Sequence, residues 1–518
     1  MPDAADGHSS GRHDPTRKGL RPETVGLLGA TVIGVSCVAP AYTLTAALGP
    51  IAAKVGSQAP AIILVGFLPM LLVAFGYREL NRAMPDSGTS FTWVTRAFGP
   101  WLGWLAGWGL VASTVLVLSN TAGVAVDFFY LLIAQVARDP SLGELTRNPA
   151  INIATCFVFM GLATWISYRG MEATKLFQYV LVGFQVVVLT LYSIVAFTKV
   201  SNGTAFDPTP FRLSWMNPFE VPSVTAIAAG LSLSIFIFWG WDVTLTMNEE
   251  TKGARSTPGQ AATATVVTTV VLYLLATCAS IAFAGLGTGA LGLGNPQIQA
   301  NAFLGLAAPV LGTFALLISL AVLSSSAASL QSTIVSPSRT LLAMGHYDAL
   351  PRPLARISPR YGTPSVAILT STIVSSGFYG IMRAVSEHVL WDTVAALGIM
   401  ICFYYSITAL AAVWYFRTQW FKSRSNFFNQ LVFPLLGGIS LAALFCRTIR
   451  DSLDPGFGSG SHIGGVGLVF IIGMGIIVVG LALMIGMAIF RPAFFRGERL
   501  SVSVSDGVED HGLDALPV

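Results

Sequence analysis

Two short stretches carry the groups best suited to chemistry in an otherwise apolar chain. The first reads Thr31-Val32-Ile33-Gly34-Val35-Ser36-Cys37-Val38-Ala39-Pro40, and the second Ser234-Ile235-Phe236-Ile237-Phe238-Trp239-Gly240-Trp241-Asp242. Pro40 has no N–H for the carbonyl four residues back, and its ring clashes there, so backbone around Ser36 is freed. Gly240 sits among bulky aromatics and is followed at once by the Asp242 carboxylate. Naked peptide groups beside one carboxylate suit the gripping of a small polar solute. Both stretches also have a plainer reading, since Gly and Pro make packing kinks in membrane helices. Asp242 can carry a proton, attract a cationic solute, or cap the helix that follows it. Ser324-Ser325-Ser326 places hydroxyls on one turn, where they either bond back to their own helix or coordinate an ion.

Bond-breaking chemistry has no visible home. There is no HExxH, no GxSxG and no paired carboxylate inside an apolar run. His8, His13, His346, His388, His462 and His511 fall in tails, loops or span ends, so no metal cluster is expected. Cys37, Cys156, Cys278, Cys402 and Cys446 each lie inside an apolar run without a CxxC, which argues against a disulfide framework or a zinc site. No catalytic residue, metal or cofactor is expected, and the chain does not read as an enzyme.

The elements that hold these stretches follow from composition. Of 518 residues, 53% are hydrophobic and only 10% charged, too few charges to solvate a globular surface. A net charge of +4 without a basic patch argues against nucleic acid as a partner; the bilayer is the expected one. Crossing about 30 Å of hydrocarbon takes about 20 apolar residues in a helix. Twelve such runs are read near 24–49, 59–77, 101–133, 151–167, 176–197, 221–247, 262–286, 302–335, 364–382, 389–416, 431–445 and 465–490. With the N-terminus in the cytoplasm, 21 of the 29 Lys and Arg residues fall on that side, as the positive-inside bias requires. Both termini are therefore expected inside, with disordered tails over 1–22 and 493–518. Glu249 and Glu250, at the inner end of span six, read as a latch to loop arginines. Gly103-x-x-x-Gly107 reads as a close helix contact.

Several motifs together resemble the amino acid–polyamine–organocation permeases. The likeness runs from Gly76-Tyr77-Arg78-Glu79-Leu80 through Met84-Pro85-Asp86-Ser87-Gly88-Thr89-Ser90-Phe91 to Arg96-Ala97-Phe98-Gly99-Pro100-Trp101-Leu102-Gly103-Trp104-Leu105-Ala106-Gly107-Trp108. It continues in Glu249-Glu250-Thr251-Lys252, in Ser338-Arg339 with Gly345-His346-Tyr347-Asp348-Ala349-Leu350-Pro351, and in Tyr361-Gly362-Thr363-Pro364. The resemblance implies an all-α polytopic membrane protein of LeuT type. Two inverted five-helix halves would span 23–198 and 221–416, with two accessory spans over 417–492. It further implies that a solute carboxylate meets amides of broken helix one at Gly34, Val35, Ser36 and Cys37. The solute amine would meet carbonyls of broken helix six at Phe236, Ile237 and Trp239, near Gly240. Phe236 and Trp241 would act as aromatic gate residues. Some proton-coupled members place a lysine in span five; the matching residue here is Gln185, which cannot titrate. In sodium-coupled relatives of the fold, hydroxyls at the level of Ser324 and Ser325 complete an ion site with helix-one carbonyls.

The expectation is a secondary transporter in the plasma membrane that moves an amino acid or small amine, coupled to protons or exchange, with sodium as the alternative ion. A passive channel would want a ring of like charges or a filter loop, and neither is visible. A major facilitator would carry an Asp and a second Gly in Gly76-Tyr77-Arg78-Glu79-Leu80-Asn81-Arg82, and both are missing.

Overall fold

The computed structural model describes residues 18–299, 301–385 and 387–503. Its first helices are α1 (Leu27–Val38), α2 (Pro40–Val55), α3 (Ala59–Ala83), α4 (Ser90–Phe98) and α5 (Pro100–Ala137). Next come α6 (Pro149–Tyr168), α7 (Met171–Ser201), α8 (Val224–Ile237), α9 (Val243–Thr246) and α10 (Thr257–Ala284). Then follow α11 (Pro296–Gln299), α12 (Ala302–Leu311), α13 (Leu316–His346), α14 (Ser365–Val385) and α15 (Glu387–Tyr415). The chain closes with α16 (Arg424–Asn426), a π-helical stretch Phe427–Val432, α17 (Phe433–Ser452), α18 (Leu468–Phe490) and α19 (Pro492–Phe495). A two-residue hairpin pairs His462–Ile463 with Val466–Gly467.

Among the described residues, ten helical stretches are long and apolar enough to cross a membrane. The fold is thus a predominantly helical, multi-pass membrane architecture, in which each spanning segment satisfies its own peptide groups. Local sequence sets the boundaries. Pro40, Pro100 and Pro149 stand at first helical positions, where a missing N–H costs nothing. Asn148 caps α6 by accepting from Ala150 N at 3.0 Å, and Ser223 caps α8 by accepting from Ala226 N at 3.0 Å. Gly103 and Gly107 face α4: a Cβ on Gly103 would come within 1.9 Å of Thr95 Oγ1, and one on Gly107 within 2.9 Å of Phe91. That is the close contact expected of this small-residue pair.

Two expectations need correction. The run expected as one span over 302–335 is two helices, α12 and α13, separated by a 3-10 turn at Gly312–Phe314. Hydropathy cannot see that break because both sides of it are equally apolar. The helix that carries Ser324 and Ser325 is therefore α13, which continues to His346. The tails are also shorter at their inner ends than 1–22 and 493–518. Lys18 is fully buried, and α19 packs Phe494 against Phe91 with ring centroids 5.4 Å apart. Residues 1–17 and 504–518 of these tails lie outside the described residues.

Candidate solute site at two helix breaks

The first span stops being helical at Ala39, whose φ of +57° and ψ of 64° are left-handed. The Ala39 N–H closes α1 on Val35 O at 3.0 Å, and Thr43 N starts α2 from Ala39 O at 2.9 Å. Because Pro40 donates nothing, the carbonyls of Ser36, Cys37 and Val38 lose their helical partners. The carbonyl side of the break is where the proline places it. The amide side is not: Gly34, Val35, Ser36 and Cys37 lie within regular α1, where amides are committed to carbonyls four residues back. The N–H groups presented by the break belong to Ala41 and Tyr42. They are met by Gln185 Oε1 at 3.5 Å and Ser325 Oγ at 3.3 Å.

The second interruption falls between α8 and α9, over Phe238–Asp242. Gly240 takes φ of +106°, a conformation that side chains rarely adopt. It is also the point where the two breaks touch. A Cβ there would stand 2.9 Å from Cys37 Sγ and 3.2 Å from Cys37 O. Gly34 makes the companion approach, since a Cβ on it would come within 2.2 Å of Thr265 Oγ1 and 2.8 Å of Thr244 Cγ2. Larger residues at these two positions would drive the broken helices apart.

Side chains from surrounding helices meet the freed groups. Tyr273 of α10 donates to Ile237 O at 2.6 Å and shares a 2.5 Å hydrogen bond with Thr43 Oγ1, so one hydroxyl ties both broken spans together. Ser329 of α13 donates to Cys37 O at 3.2 Å, and Thr333 Oγ1 lies 3.5 Å from Cys37 Sγ. Ser324 bonds back to Ala321 O within its own helix at 2.9 Å. The hydroxyls that reach toward the helix-one carbonyl side are thus one turn beyond the expected serines. Tyr42 hydrogen-bonds Asn120 of α5. Gln185 is fully buried, and its Nε2 has no hydrogen-bond partner among the described residues.

Asp242 occupies the N-cap position of α9 without a side-chain capping bond. Its Oδ2 instead accepts from Tyr404 OH at 3.2 Å, and the same hydroxyl accepts from Trp239 Nε1 at 2.8 Å. Among the described residues no cation pairs with this buried carboxylate. Trp241 lies nearly parallel to Tyr405 at 5.3 Å and meets Tyr77 edge-on at 5.1 Å; its Nε1 is unpartnered. Phe238 packs on Tyr273 at 5.3 Å, while Phe236 is buried in the last turn of α8. The breaks thus bring Cys37, Gly240, Trp239, Trp241 and Asp242 together. Tyr273, Tyr404, Tyr405, Ser329 and Thr333 join them, unanticipated; a tyrosine pair in the middle of span ten was the available signal.

Charge gathers instead at one end of the bundle. Glu250 pairs bidentately with Arg339, at 2.9 and 3.0 Å, and both side chains are essentially buried. Lys18 reaches Asp86 at 2.8 Å and Glu249 at 2.5 Å, and Tyr347 OH donates to Asp86 at 2.7 Å. Glu250 therefore takes an arginine, from within α13 rather than from a loop, whereas Glu249 takes a lysine from the N-terminal segment. Burial by itself would raise the Asp86 carboxyl, but the adjacent Lys18 ammonium together with the hydrogen bonds from Lys18, Tyr347 and Thr92 outweighs it and lowers the group below its usual range. Burial likewise opposes the Lys18 charge, yet Asp86 and Glu249 raise it above the usual lysine range. Backbone completes the seal: Thr24 N and Val25 N donate to Glu250 O at 2.9 and 3.1 Å, and Lys252 N donates to Val25 O at 2.8 Å.

The arrangement is a bundle of membrane-spanning helices with two interrupted segments in contact. The family profile described as "Amino acid permease" matches residues 25–490, and the chain belongs to that family. It is 23% identical over 320 residues to the branched-chain amino acid permease BcaP of Lactococcus lactis, covering 58% of this chain and 64% of that permease. It is 24% identical over 391 residues to the methylthioribose transporter of Bacillus subtilis, covering 73% and 79%. It is 20% identical over 442 residues to the low-affinity putrescine importer PlaP of Escherichia coli K12, covering 84% and 90%. All three relatives are transporters.

Proposed function

We propose that the protein is a secondary active transporter that carries an amino acid or related small amine across the plasma membrane by alternating access. The observation that carries this reading is the contact of Gly240 with Cys37, which sets two interrupted helices face to face. Freed carbonyls and amides there can grip a solute that intact helices could not. The names of two relatives, the branched-chain amino acid permease and the putrescine importer, support the solute class. Counting α1 with α2 as one broken span, α8 with α9 as another, and α3 separately from the long stretch Leu27–Ala83 gives twelve crossings. They divide as two inverted halves over 23–198 and 221–416 plus an accessory pair, with both termini cytoplasmic.

Within that reading, Gly34–Cys37, Phe236, Ile237 and Trp239–Trp241 line the solute site, and the break's own amides at Ala41 and Tyr42 join them. Asp242, a buried carboxylate with no paired cation, carries the proton that couples transport, or receives the solute's ammonium in exchange. Gln185 holds the second half of span one in the place of a titratable lysine. One observation favours sodium as the second possibility: Ser329 and Thr333 already stand around Cys37, as hydroxyl ligands of a hard cation would.

Uptake of a labelled panel of amino acids and polyamines into liposomes of purified protein tests this, with and without a proton or sodium gradient. Saturable accumulation against a concentration difference is expected. Flux that never saturates and only dissipates gradients would make the protein a channel.

A further inference from the structure

The end of α13 carries a cluster that the solute site does not use. Asp348, turned by a left-handed φ of +59°, receives three guanidinium groups. Arg352 binds it bidentately at 2.7 and 3.0 Å, Arg491 approaches at 3.4 Å, and Arg499 at 3.3 Å. The carboxylate side chain is only 9% exposed, whereas those of the arginines are 67%, 33% and 49% exposed. The Arg352 hydrogen bonds, with the charges of Arg352, Arg499 and Arg491, outweigh the opposing effect of burial and lower the Asp348 carboxyl below its usual range.

One carboxylate against three guanidiniums leaves two positive charges unmatched. Each guanidinium has five N–H donors, and only Arg352 engages Asp348 in a bidentate way, so most donors of Arg491 and Arg499 are left unused by Asp348. Their position decides what they face. Arg491 is the first residue past α18, preceded by the exposed apolar residues Ile489 and Phe490. Trp101, also exposed, packs on Phe495 of α19 at 4.8 Å. Exposed apolar side chains beside arginines, with a tryptophan at the same level, are the signature of a membrane interface. A soluble anion would gain nothing from that apolar border, whereas a lipid places its phosphate and its acyl chains on the two sides of it.

We propose that Arg491 and Arg499, steadied by Asp348 and assisted by Arg352, bind the phosphate of an anionic lipid headgroup in the cytoplasmic leaflet. The assignment to that leaflet rests on the orientation proposed above. Asp348 directly follows Tyr347, whose hydroxyl holds Asp86 in the Lys18 latch, so an occupied site borders the inner seal.

The test is lipid retention by native mass spectrometry, using protein equilibrated with equimolar phosphatidylglycerol and phosphatidylcholine. Wild type is expected to retain phosphatidylglycerol preferentially by roughly tenfold, the size of one or two charge-assisted hydrogen bonds. The pair Arg491→Gln and Arg499→Gln is expected to lose that preference, and Arg491→Lys with Arg499→Lys to keep most of it. If the Gln pair does not fold, Arg499→Gln alone, at a half-exposed position, carries the test with a smaller loss. Equal retention of the two lipids by wild type, or an unchanged preference in the Gln variants, overturns the proposal. Displacement by millimolar inorganic phosphate also overturns it, in favour of a soluble-anion site. Uptake by the same wild-type preparation reads the transport hypothesis separately, so either can fail while the other stands.

Discussion

The touching helix breaks and the Glu249–Glu250 segment just beyond them are held in opposite ways. At the break, groups freed from the helix ladder are met by neutral partners: Tyr273 on Ile237, Ser329 on Cys37, Ser325 on Tyr42 and Gln185 on Ala41, the last three at 3.2–3.5 Å. A few residues further on, the chain is fastened by charge, with Lys18 on Asp86 and Glu249 and Arg339 on Glu250, at 2.5–3.0 Å. A typical neutral hydrogen bond contributes about 0.5–1.5 kcal/mol net, whereas breaking a buried ion pair costs about 3–5 kcal/mol. Groups that a guest must displace are therefore tied weakly, and groups that must exclude water are tied strongly. On the proposed reading, a solute site and an inner seal have different energetic requirements, and one short segment of chain meets both.

That contrast can be broken most forcefully at Arg339. Arg339→Gln leaves Glu250 buried without its cation, and a loss of about 3–5 kcal/mol is expected in thermal unfolding of the purified protein. A loss below 1 kcal/mol would mean that water reaches this pair. Lys18→Met should cost less, about 2 kcal/mol, because Asp86 and Glu249 are partly exposed and can rehydrate. It should also make an inner-face cysteine reporter near Ser87 more reactive, and unchanged labelling would remove Lys18 from the seal.

At the break itself, effects on stability should be small and effects on transport large. Asp242→Asn is expected to lower gradient-driven accumulation about tenfold, equivalent to about 1.4 kcal/mol, with a smaller change in solute binding. Normal accumulation in that variant would exclude the carboxylate from coupling. Phe236→Ala should raise the half-saturation concentration by roughly threefold, about 0.6 kcal/mol, and an unaltered value would clear it of a gating role.

The smallest expected effect is that of pH on the latch. Asp86 has a depressed carboxyl, so its contribution is present above its ordinary value of 3.8 and is lost only as pH falls through its still lower folded value. Lys18 is raised, so its contribution is present below its ordinary 10.5 and is lost only as pH rises through its still higher folded value. Between roughly pH 5 and 9 the reactivity of the inner-face reporter should therefore stay constant. A titration inside that window would place another group in the latch.

The one-dimensional pattern of apolar runs, with too few charges to solvate a surface, was enough to establish a helical chain that crosses a membrane many times. Pro40 and the Trp239-Gly240-Trp241-Asp242 run marked the two interruptions, because a missing N–H and a glycine among aromatics act on the backbone locally. Where each interruption presents its amides was not local. Beyond the left-handed Ala39, the freed N–H groups are received by Gln185 and Ser325, more than 140 residues away in sequence. The split of 302–335 escaped hydropathy for a similar reason, since apolar residues look alike on either side of a turn. The tyrosines around Asp242, the serine that meets Cys37 and the lysine that answers Glu249 come from separate helices and a terminal segment. Only packing could choose them, because a hydrogen bond or an ion pair depends on distance in space, and sequence records distance along the chain.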